Sequence, residues 1–448
     1  MRLQGRRIAL LSISPDLAQG DSLQMFPSYG VRRIQAAIVG DPALADAEVR
    51  LIDLRLHDVQ GFVAETIAFR PDVVGISLYV WSMKTMAEVI RRVRRTLPAC
   101  TIVVGGPSAR PEVFDLPPFR DVRPMIDAVI AADGEETFRD LILWRDRSPQ
   151  SLARIPGLAL WNPFGWFRTG ARTPHPDLDT VNSPFQLGLM PRDQVAYLET
   201  FRGCPLSCKF CQWGVMDSKR RFSKEYLVRE LRAFREVEPR YVYLVDAALN
   251  LNPAAFRNLM AAEREVRFFE NVPLLCEVYP NLLNRDHIEF LEGTKHVHVG
   301  LGVQSLDEHA LGAVDRPFKK EHLRPVIEQL SRYGLVDVEL ILGLPGDTPA
   351  SFRQTVEEAL ELPCSVRIFR CLILPDALMT RAPKEYNIRF DPETLVMKSC
   401  FTWSEREIEE TQEWVAGLGS RCGPKTSGEY WWHFRSELST YRAAYGVA

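Results

Sequence analysis

The sequence predicts an α/β protein with two domains, on the basis of two observations. Apolar runs of strand length alternate with amphipathic stretches twice along the chain, and a segment dense in Pro, Gly and other turn formers separates the two series. At 448 residues the chain is also too long for one ordinary hydrophobic core. We therefore expect a first domain at 1–149, a linker at 150–190, a second domain at 191–404 and a tail at 405–448.

The first series contains five apolar runs that read as buried strands. With amphipathic stretches between them, they are RRIALLSIS, EVRLIDL, DVVGISLYV, CTIVVGG and DAVIAA. Continuous apolar runs separated by helices are typical of parallel strands buried on both faces. The first domain is therefore predicted to be a Rossmann-like, doubly wound sheet.

The second series predicts a partial (β/α)6 TIM barrel. The linker before it includes PGLALWNPFGWFRTG, which is consistent with one small hairpin. Six strand-like runs follow, namely VAYLET, YVYLVDA, PLLCEVY, HVHVGLG, VDVELILG and VRIFRCLIL. We expect the site of such a barrel at the carboxyl ends of its strands. Beyond the barrel, SEREIEETQEWVAGL predicts a short helical C-terminal tail.

The composition argues against several classes of function. The net charge is −3, 46% of the residues are hydrophobic and 25% are charged, with no long block of one sign. No stretch approaches the roughly 20 apolar residues of a membrane span. We therefore expect a small-molecule substrate, with neither nucleic acid nor a membrane as partner. MRLQGRRIALLSIS is followed directly by Pro15 and Asp16, which indicates a first strand and not a signal peptide and favours a cytoplasmic location.

Three of the nine cysteines are clustered in RGCPLSCKFCQWG, directly after the first strand of the second series. Cys204, Cys208 and Cys211 are spaced CxxxCxxC, and thiolates are soft ligands suited to iron–sulfur clusters or zinc. A zinc site needs a fourth ligand, and no His or Cys follows in roughly the next sixty residues. Three thiolates on a [4Fe–4S] cluster leave one iron open for another ligand.

This segment resembles the cluster-binding loop of radical S-adenosylmethionine (SAM) enzymes, including the aromatic Phe210 just before the last cysteine. VGLGVQSLDEHALGAVDRPF (299–318), VELILGLPGDTPASF (338–352) and LVDAALN (244–250) also resemble strands and loops of that family. The resemblance implies a [4Fe–4S] cluster and SAM as cofactors and reductive cleavage of SAM to a 5'-deoxyadenosyl radical. It also implies an external electron donor of the flavodoxin or ferredoxin type.

By the same resemblance, polar residues at the strand ends are candidates for holding SAM. Asp246 is a candidate for the methionyl ammonium, Glu277 for the ribose or the ammonium, and Gln304 and Ser305 for the rim of the cofactor. Phe210, on the segment that carries the three cysteines, is also predicted by this resemblance to bind the cofactor. Each polar residue keeps a structural alternative, because such residues at strand ends also cap helices.

The first domain resembles the cobalamin-binding domain that precedes the barrel in the class B branch of the superfamily. Ser77 after the third strand, and Gly105 and Gly106 after the fourth, match positions that receive the nucleotide tail of cobalamin. GEE at 134–136 also fits that branch. The loop SISPDLAQGDS lacks the His of the DxHxxG signature, so the sequence leaves cobalamin binding open.

Four residues are candidates for catalysis. Glu277, Asp376 and His433 could serve as acid or base near the radical carbon. Cys371, at the end of the sixth strand, is either a hydrogen-atom donor or a buried structural cysteine. The aromatic segment WWHF that contains His433 either covers the mouth of the site or docks the tail onto the barrel.

Two reactions compete at the level of sequence. The compact chain and the missing His favour elimination or dehydration of a small polar natural-product intermediate, as in the radical SAM diol dehydratases that deoxygenate aminoglycosides. The alternative is a cobalamin-dependent radical SAM methyltransferase acting on an unactivated carbon, the commonest activity of the branch. The high Arg and Ala content suggests a source in which such enzymes serve antibiotic biosynthesis.

Overall fold

The chain divides into two compact units between Pro191 and Arg192, and each is described by itself. The computed structural model describes residues 6–14, 28–55, 57–144, 146–215, 220–418, 425–427 and 430–434.

The first unit is built on a seven-stranded sheet with the order β2-β1-β3-β4-β5-β6-β7. Strands β1 to β5 are parallel, and β6 and β7 are antiparallel additions at one edge. The strands are β1 (Arg7–Ser14), β2 (Glu48–Arg55), β3 (Val73–Ser77), β4 (Thr101–Gly105), β5 (Ala128–Ile130), β6 (Leu158–Asn162) and β7 (Gly165–Arg168). The predicted doubly wound sheet is confirmed, and the order reverses direction between β1 and β3, where ligands of such sheets bind.

Helices cover this sheet with apolar faces. In α3, Met83, Met86, Ile90 and Val93 are buried, and their spacing of three or four residues places them on one side of the helix. The helices of this unit are α1 (Tyr29–Val39), α2 (Val59–Phe69), α3 (Met83–Thr96), α4 (Pro111–Phe114), α5 (Gly134–Leu143) and α6 (Pro149–Leu152). The small hairpin expected in the linker is β6 and β7, which continue the first sheet.

The second unit contains the six parallel strands predicted for the partial barrel, paired in sequence order. They are β8 (Val195–Leu198), β9 (Tyr241–Leu244), β10 (Leu274–Val278), β11 (Val297–Gln304), β12 (Gly334–Leu342) and β13 (Ser365–Arg370). Alternation along β12 places Val336, Val338 and Leu340 in the core, with Asp337 and Glu339 on the opposite, inward face. The six-strand prediction is confirmed.

Helices follow the barrel strands as expected of βα units. They are α7 (Lys224–Val237), α8 (Pro253–Val266), α9 (Arg285–Glu292), α10 (Glu308–Ala313), α11 (Leu323–Leu330) and α12 (Pro349–Leu360). Their first turns are locally encoded: the Asn252 side chain caps α8 and the Thr348 hydroxyl caps α12. None of the described helices is both long and apolar enough to cross a bilayer.

The segment after the barrel is more than the helical tail that the sequence predicted. It contains α13 (Leu378–Arg381), the hairpin strands β14 (Arg389–Phe390) and β15 (Met397–Ser399), the predicted helix as α14 (Glu405–Gly417), and β16 (Lys425–Ser427) and β17 (Trp431–Phe434). Strand β17 pairs antiparallel with β13 and so extends the barrel sheet. A four-residue strand shows too little periodicity to be predicted from its own sequence.

Candidate active site

The three clustered cysteines lie on the loop that follows β8, here called the cluster loop (residues 203–215). Cys208 is buried, and Cys204 and Cys211 are half-buried. The N–H of Cys211 donates to the Cys208 carbonyl at 3.1 Å, and the N–H of Leu206 approaches the Cys204 Sγ at 3.4 Å. Burial raises the pKa of Cys204, and it raises the pKa of Cys211 to about 11. Metal binding at Cys204 and Cys211 therefore has to displace the protons of their thiols.

The arrangement of these thiols bears on the choice between zinc and an iron–sulfur cluster. Among the described residues, no three His, Cys, Asp or Glu side chains are placed to hold a metal ion. A single zinc ion draws its sulfur ligands to about 2.3 Å from one point, whereas the ligands of a [4Fe–4S] cluster bind separate iron atoms. Three thiols on one short loop are a donor set that suits a [4Fe–4S] cluster, with one iron left open.

Both sides of the cluster loop are held by hydrogen bonds to later parts of the chain. On one side, the Lys209 N–H donates to the Val314 carbonyl at 2.9 Å, and its ammonium contacts Asp315 at 2.6 Å. The Lys209 side chain therefore helps to attach the cluster loop to the end of α10.

On the other side, the segment after β13 contacts the cluster loop. Arg381 donates to the carbonyls of Ser207 and Cys211, the latter at 3.2 Å. The Gln212 amide donates to the Pro375 carbonyl at 2.8 Å. The loop thus has a fixed backbone on which three cysteines can converge.

Arg316 is a functional candidate that the sequence reading missed. Its guanidinium lies 3.8 Å from the Cys208 Sγ, donates to the Gly302 carbonyl, and lies over the Tyr279 ring at 4.8 Å from the centroid. A guanidinium in this position offers a fork of donors to a carboxylate. The arrangement therefore places a carboxylate-binding group directly beside the cluster loop.

Asp246, predicted to bind the SAM ammonium, lies two residues beyond β9 and is buried. Its carboxylate accepts from the Thr200 N–H at 2.8 Å, from the Thr200 hydroxyl, and from the Phe201 N–H at 3.4 Å. Burial raises the pKa of Asp246 to about 7, although the Thr200 hydrogen bonds oppose that rise. Asp246 therefore anchors the entrance to the cluster loop, and its role toward SAM stays a prediction.

Glu277 lies on β10 with its carboxylate turned toward β11. It is paired with Gly300, and a Cβ at residue 300 would lie 2.4 Å from a Glu277 carboxylate oxygen. Burial raises the pKa of Glu277 well above its ordinary value, and the nearby Glu339 raises it further, against the effect of Arg367. Burial also raises the pKa of Glu339. Burial and the neighbouring carboxylate thus favour the neutral form of Glu277, and a neutral carboxyl can donate as well as accept a hydrogen bond.

A set of charged side chains, here called the inner network, surrounds Asp337 inside the barrel. Its members are His298, Asp337, Glu339, Arg367 and His433. His433 Nε2 lies 3.1 Å from one Asp337 oxygen, and His298 Nε2 and Arg367 Nη2 each lie 2.9 Å from the other. Burial alone would raise the pKa of Asp337, but these three partners hold it well below its ordinary value.

The remaining predicted SAM residues lie at the end of β11. Gln304 adopts a positive φ of 74°, and its amide lies against Gly302, where a Cβ would be 2.7 Å from the amide nitrogen. Ser305 is buried, donates to Asp347 at 3.2 Å and accepts from the Asp307 N–H at 3.1 Å. Ser305 thus has a structural role at the start of α10.

Three other candidates from the sequence occupy different environments. Phe210 is half-buried on the cluster loop. Cys371 is 2% exposed, and burial raises the pKa of its thiol. Asp376 adopts a positive φ of 57° directly after Pro375, whose carbonyl is bound by Gln212 of the cluster loop. Asp376 is therefore placed beside the cluster loop, whereas Cys371 is packed into the protein.

In the first unit, the predicted cobalamin residues meet at one edge of the sheet. Ser77 and Gly105 are paired at the ends of β3 and β4, and Gly106 follows with a positive φ of 95°. A Cβ on Gly105 would have no neighbour closer than 3.9 Å, so a ligand can approach the backbone there. The Trp81 indole N–H is shielded from solvent and has no acceptor among the described residues, which suits a ligand carrying amide oxygens. The loop SISPDLAQGDS, beyond its first three residues, lies outside the described part of the chain.

Comparison with protein families agrees with the candidate sites described in each unit. Residues 198–359 match the radical SAM superfamily and residues 33–142 match the B12 binding domain. The chain is a radical SAM protein with a B12-binding domain ahead of its barrel. Its cofactors are a [4Fe–4S] cluster and SAM, and the B12-binding match supports cobalamin, whose binding the sequence left open.

The curated relatives include two that align over most of the chain. The chain is 30% identical over 357 residues to 2-(S-pantetheinyl)-carbapenam-3-carboxylate methyltransferase of Streptantibioticus cattleyicolor, covering 73% of this chain and 51% of the relative. It is 29% identical over 360 residues to the cobalamin-dependent radical SAM methyltransferase TokK of Streptomyces tokunonensis, with the same coverage. The chain thus spans about half the length of these relatives.

Two solved structures share the fold. The radical SAM methyltransferase TsrM of Kitasatospora setae has a TM-score of 0.68 at 17% identity, with 94% of this chain and 90% of that chain covered. The cobalamin-dependent SAM radical enzyme OxsB has a TM-score of 0.66 at 15% identity, with 93% and 67% covered. At these identities the likeness concerns the fold.

Proposed function

We propose that this protein is a cobalamin-dependent radical SAM methyltransferase that adds a methyl group to an unactivated carbon of a small natural-product intermediate. The observation that carries the proposal is the pairing of a B12-binding domain with a cluster-loop barrel in a chain two of whose relatives, each aligned over 73% of its length, are methyltransferases. The elimination reaction that the sequence favoured is less well supported, because it rested on a short chain and a missing His.

The residues of the barrel suit the binding of SAM next to the cluster loop. Arg316 offers its donors to the methionyl carboxylate beside Cys208. Glu277, whose neutral form is favoured by burial, and Glu339 offer a donor and acceptors to the ribose hydroxyls. These contacts hold the cofactor in one orientation, and that positioning is the protein's main contribution when a cofactor carries the chemistry.

The first unit offers the complementary site for the corrinoid. The open backbone at Gly105 and the shielded N–H of Trp81 lie at the carboxyl edge of β3 and β4 and suit its polar nucleotide tail. When bound, the cluster supplies the electron that cleaves SAM and the corrinoid supplies a methyl group. The protein contributes two sites that keep these functions on separate units.

The two reactions predict different products from SAM. Methyl transfer consumes one SAM as methyl donor and a second as radical source, so S-adenosylhomocysteine and 5'-deoxyadenosine accumulate together. Elimination releases 5'-deoxyadenosine and methionine without S-adenosylhomocysteine. The protein would be reconstituted anaerobically with iron and sulfide, with and without hydroxocobalamin, and given SAM, a strong reductant and a panel of small natural-product intermediates as methyl acceptors.

We expect stoichiometric corrinoid binding and formation of S-adenosylhomocysteine that depends on hydroxocobalamin. Formation of 5'-deoxyadenosine alone, unchanged by hydroxocobalamin, would reject the methyltransferase and favour elimination. SAM labelled with deuterium in its methyl group then identifies the product, since a methylated substrate gains three mass units from the label. Flavodoxin and ferredoxin in place of the chemical reductant test the proposed external electron donors.

A further inference from the structure

The C-terminal strand β17 contributes a side chain to the interior of the barrel. It pairs antiparallel with β13, and this register sets His433 opposite Arg367. The neighbouring Trp432 and Phe434 are buried on the other face by strand alternation. The backbone of β17 therefore directs His433 to the face that carries the inner network.

The inner network changes from fully buried to partly accessible along its length. The side chains of Asp337 and His433 are 3% and 6% exposed, whereas Glu339 is 13% and Arg367 29% exposed. Arg367 connects the two parts, because it bonds Asp337 at 2.9 Å and Glu339 at 3.4 Å. The buried end can therefore act on the accessible end through Arg367.

The geometry at Asp337 explains how His433 has this effect. His433 holds one carboxylate oxygen, and the other oxygen receives both His298 and Arg367. Without the His433 donor, that first oxygen is left unsatisfied in the interior, which costs more than the bond itself contributes. The carboxylate can then rotate to share its donors, and the guanidinium of Arg367 moves with it.

We propose that His433 is a positioning residue that, through Asp337, sets where the Arg367 guanidinium lies and so makes the C-terminal strand part of the SAM-binding surface. Arg367 is the ion-pair partner of Glu339, one of the two carboxyls assigned to the SAM ribose. The inference rests on the proposed binding of SAM in the barrel. It replaces the acid–base role for which His433 was a candidate.

The test compares variants of β17 in cluster-loaded protein. His433→Leu removes the donor at similar volume, His433→Gln keeps an N–H at similar reach, and Phe434→Leu disturbs the packing of the same strand without touching Asp337. Equilibrium dialysis without reductant gives the Kd for SAM, and 5'-deoxyadenosine formation with reductant gives KM and kcat separately. Thermal unfolding of each variant reports the stability of the fold.

We expect His433→Leu to raise the Kd and KM for SAM about tenfold, a difference of about 1.4 kcal/mol, with kcat changed less than about twofold. His433→Gln should stay within about threefold of wild type in Kd. Phe434→Leu should lower thermal stability while its Kd stays within about twofold of wild type.

A second variant covers the case in which His433→Leu fails to fold. Arg367→Lys keeps the charge but loses the two-pronged contact with Asp337 and Glu339, so it should weaken SAM binding to a similar extent. Where both single variants fold, the double variant His433→Leu/Arg367→Lys should have a Kd for SAM no higher than that of the worse single variant, because both substitutions act through the same contact.

The proposal is overturned if His433→Leu binds SAM like wild type, or if Phe434→Leu weakens binding equally. Equal loss in His433→Gln and His433→Leu would also overturn it, because the donor would then not be what matters. Failure of the wild-type protein to bind or cleave SAM is a different result, which rejects the proposed function itself.

Discussion

The cluster loop and the inner network lie in the same barrel but are assembled in opposite ways. The three cysteines fall within eight consecutive residues, and backbone contacts such as Lys209 to Val314 fix their loop. The inner network draws His298, Asp337 and His433 from three different strands, and the first and last of these residues are 135 positions apart in the sequence. The loop thus carries all three cluster ligands within one short segment, whereas the network forms only when the barrel and strand β17 have folded.

The difference teaches which kind of site a sequence reveals. Ligands on one short loop have a fixed sequence spacing that does not depend on the rest of the fold. Their chemistry can therefore be predicted from the residue pattern alone. A network across strands depends on register, and a shift of one residue would turn each member to the other face. Mutations in the two regions should accordingly differ in what they damage.

The largest effect is expected at the cluster loop. Cys208→Ala removes one of three cluster ligands, so we expect iron content to collapse and SAM cleavage to fall at least about a thousandfold. Thermal unfolding of the metal-free protein should change little. Iron analysis and 5'-deoxyadenosine assays measure this.

The matched control is Cys276→Ala, which alters a buried cysteine on β10 outside the loop. It should retain iron and SAM cleavage. A Cys208→Ala protein that keeps its cluster and its turnover would contradict the assignment of the loop.

The inner network should respond in fold stability as well as in SAM binding. The low folded-state pKa of Asp337 means that its charge stabilises the fold above the unfolded-state pKa of about 3.9, and this contribution is lost as pH falls toward the folded-state pKa. Asp337→Asn removes the charge at every pH. We expect the free energy of unfolding at pH 7 to fall by about 3 kcal/mol, and its loss on acidification below about pH 4 to become shallower.

Urea unfolding at pH 7 and at pH 4 measures both effects. Asp286→Asn, on the exposed first turn of α9, is the control and should change the unfolding free energy by less than about 0.5 kcal/mol. An Asp337→Asn protein as stable as wild type at pH 7 would show that the network does not support the fold.

Several parts of the molecule were predictable because their signals are local. The five parallel strands of the first unit and the six of the barrel follow from continuous apolar runs, and the helix over Glu405–Gly417 follows from its periodicity and capping residues. The cysteine ligands follow from spacing. Each of these features depends on neighbours a few residues away.

Other parts were missed because their partners are distant in sequence. Glu339 and Asp337 did carry a signal, since charged residues at alternate positions of the otherwise apolar run VDVELIL imply an inward polar face. Arg316 lies in the segment 299–318 that resembles the family. Its proximity to Cys208, however, depends on the tertiary fold of the segment after β11. His433 required the pairing of β17 with β13, which no local pattern specifies.

Gly300, which faces the Glu277 carboxylate, permits a test of the role of Glu277 in SAM binding. A side chain there meets the Glu277 carboxylate at 2.4 Å, so Gly300→Ala should displace that group and raise the KM for SAM about tenfold while iron content stays constant. Gly312→Ala is the matched control, because a Cβ at residue 312 would meet no atom within 4 Å. If both variants leave the KM unchanged, Glu277 has no part in binding SAM.

The smallest effect is expected at Cys371, which connects the end of the barrel to the segment beyond. Its N–H donates to the Leu342 carbonyl at 2.9 Å and its carbonyl accepts from Met397 at 2.9 Å. A thiol that is 2% exposed and flanked by such contacts fits the structural alternative better than the donor role. Cys371→Ala should therefore lower the unfolding free energy by about 1 kcal/mol through lost packing, with product formation per SAM cleaved within about twofold of wild type. A variant that still cleaves SAM but forms no product would instead establish Cys371 as the hydrogen-atom donor, and would show that a buried residue outside both regions takes part in the chemistry.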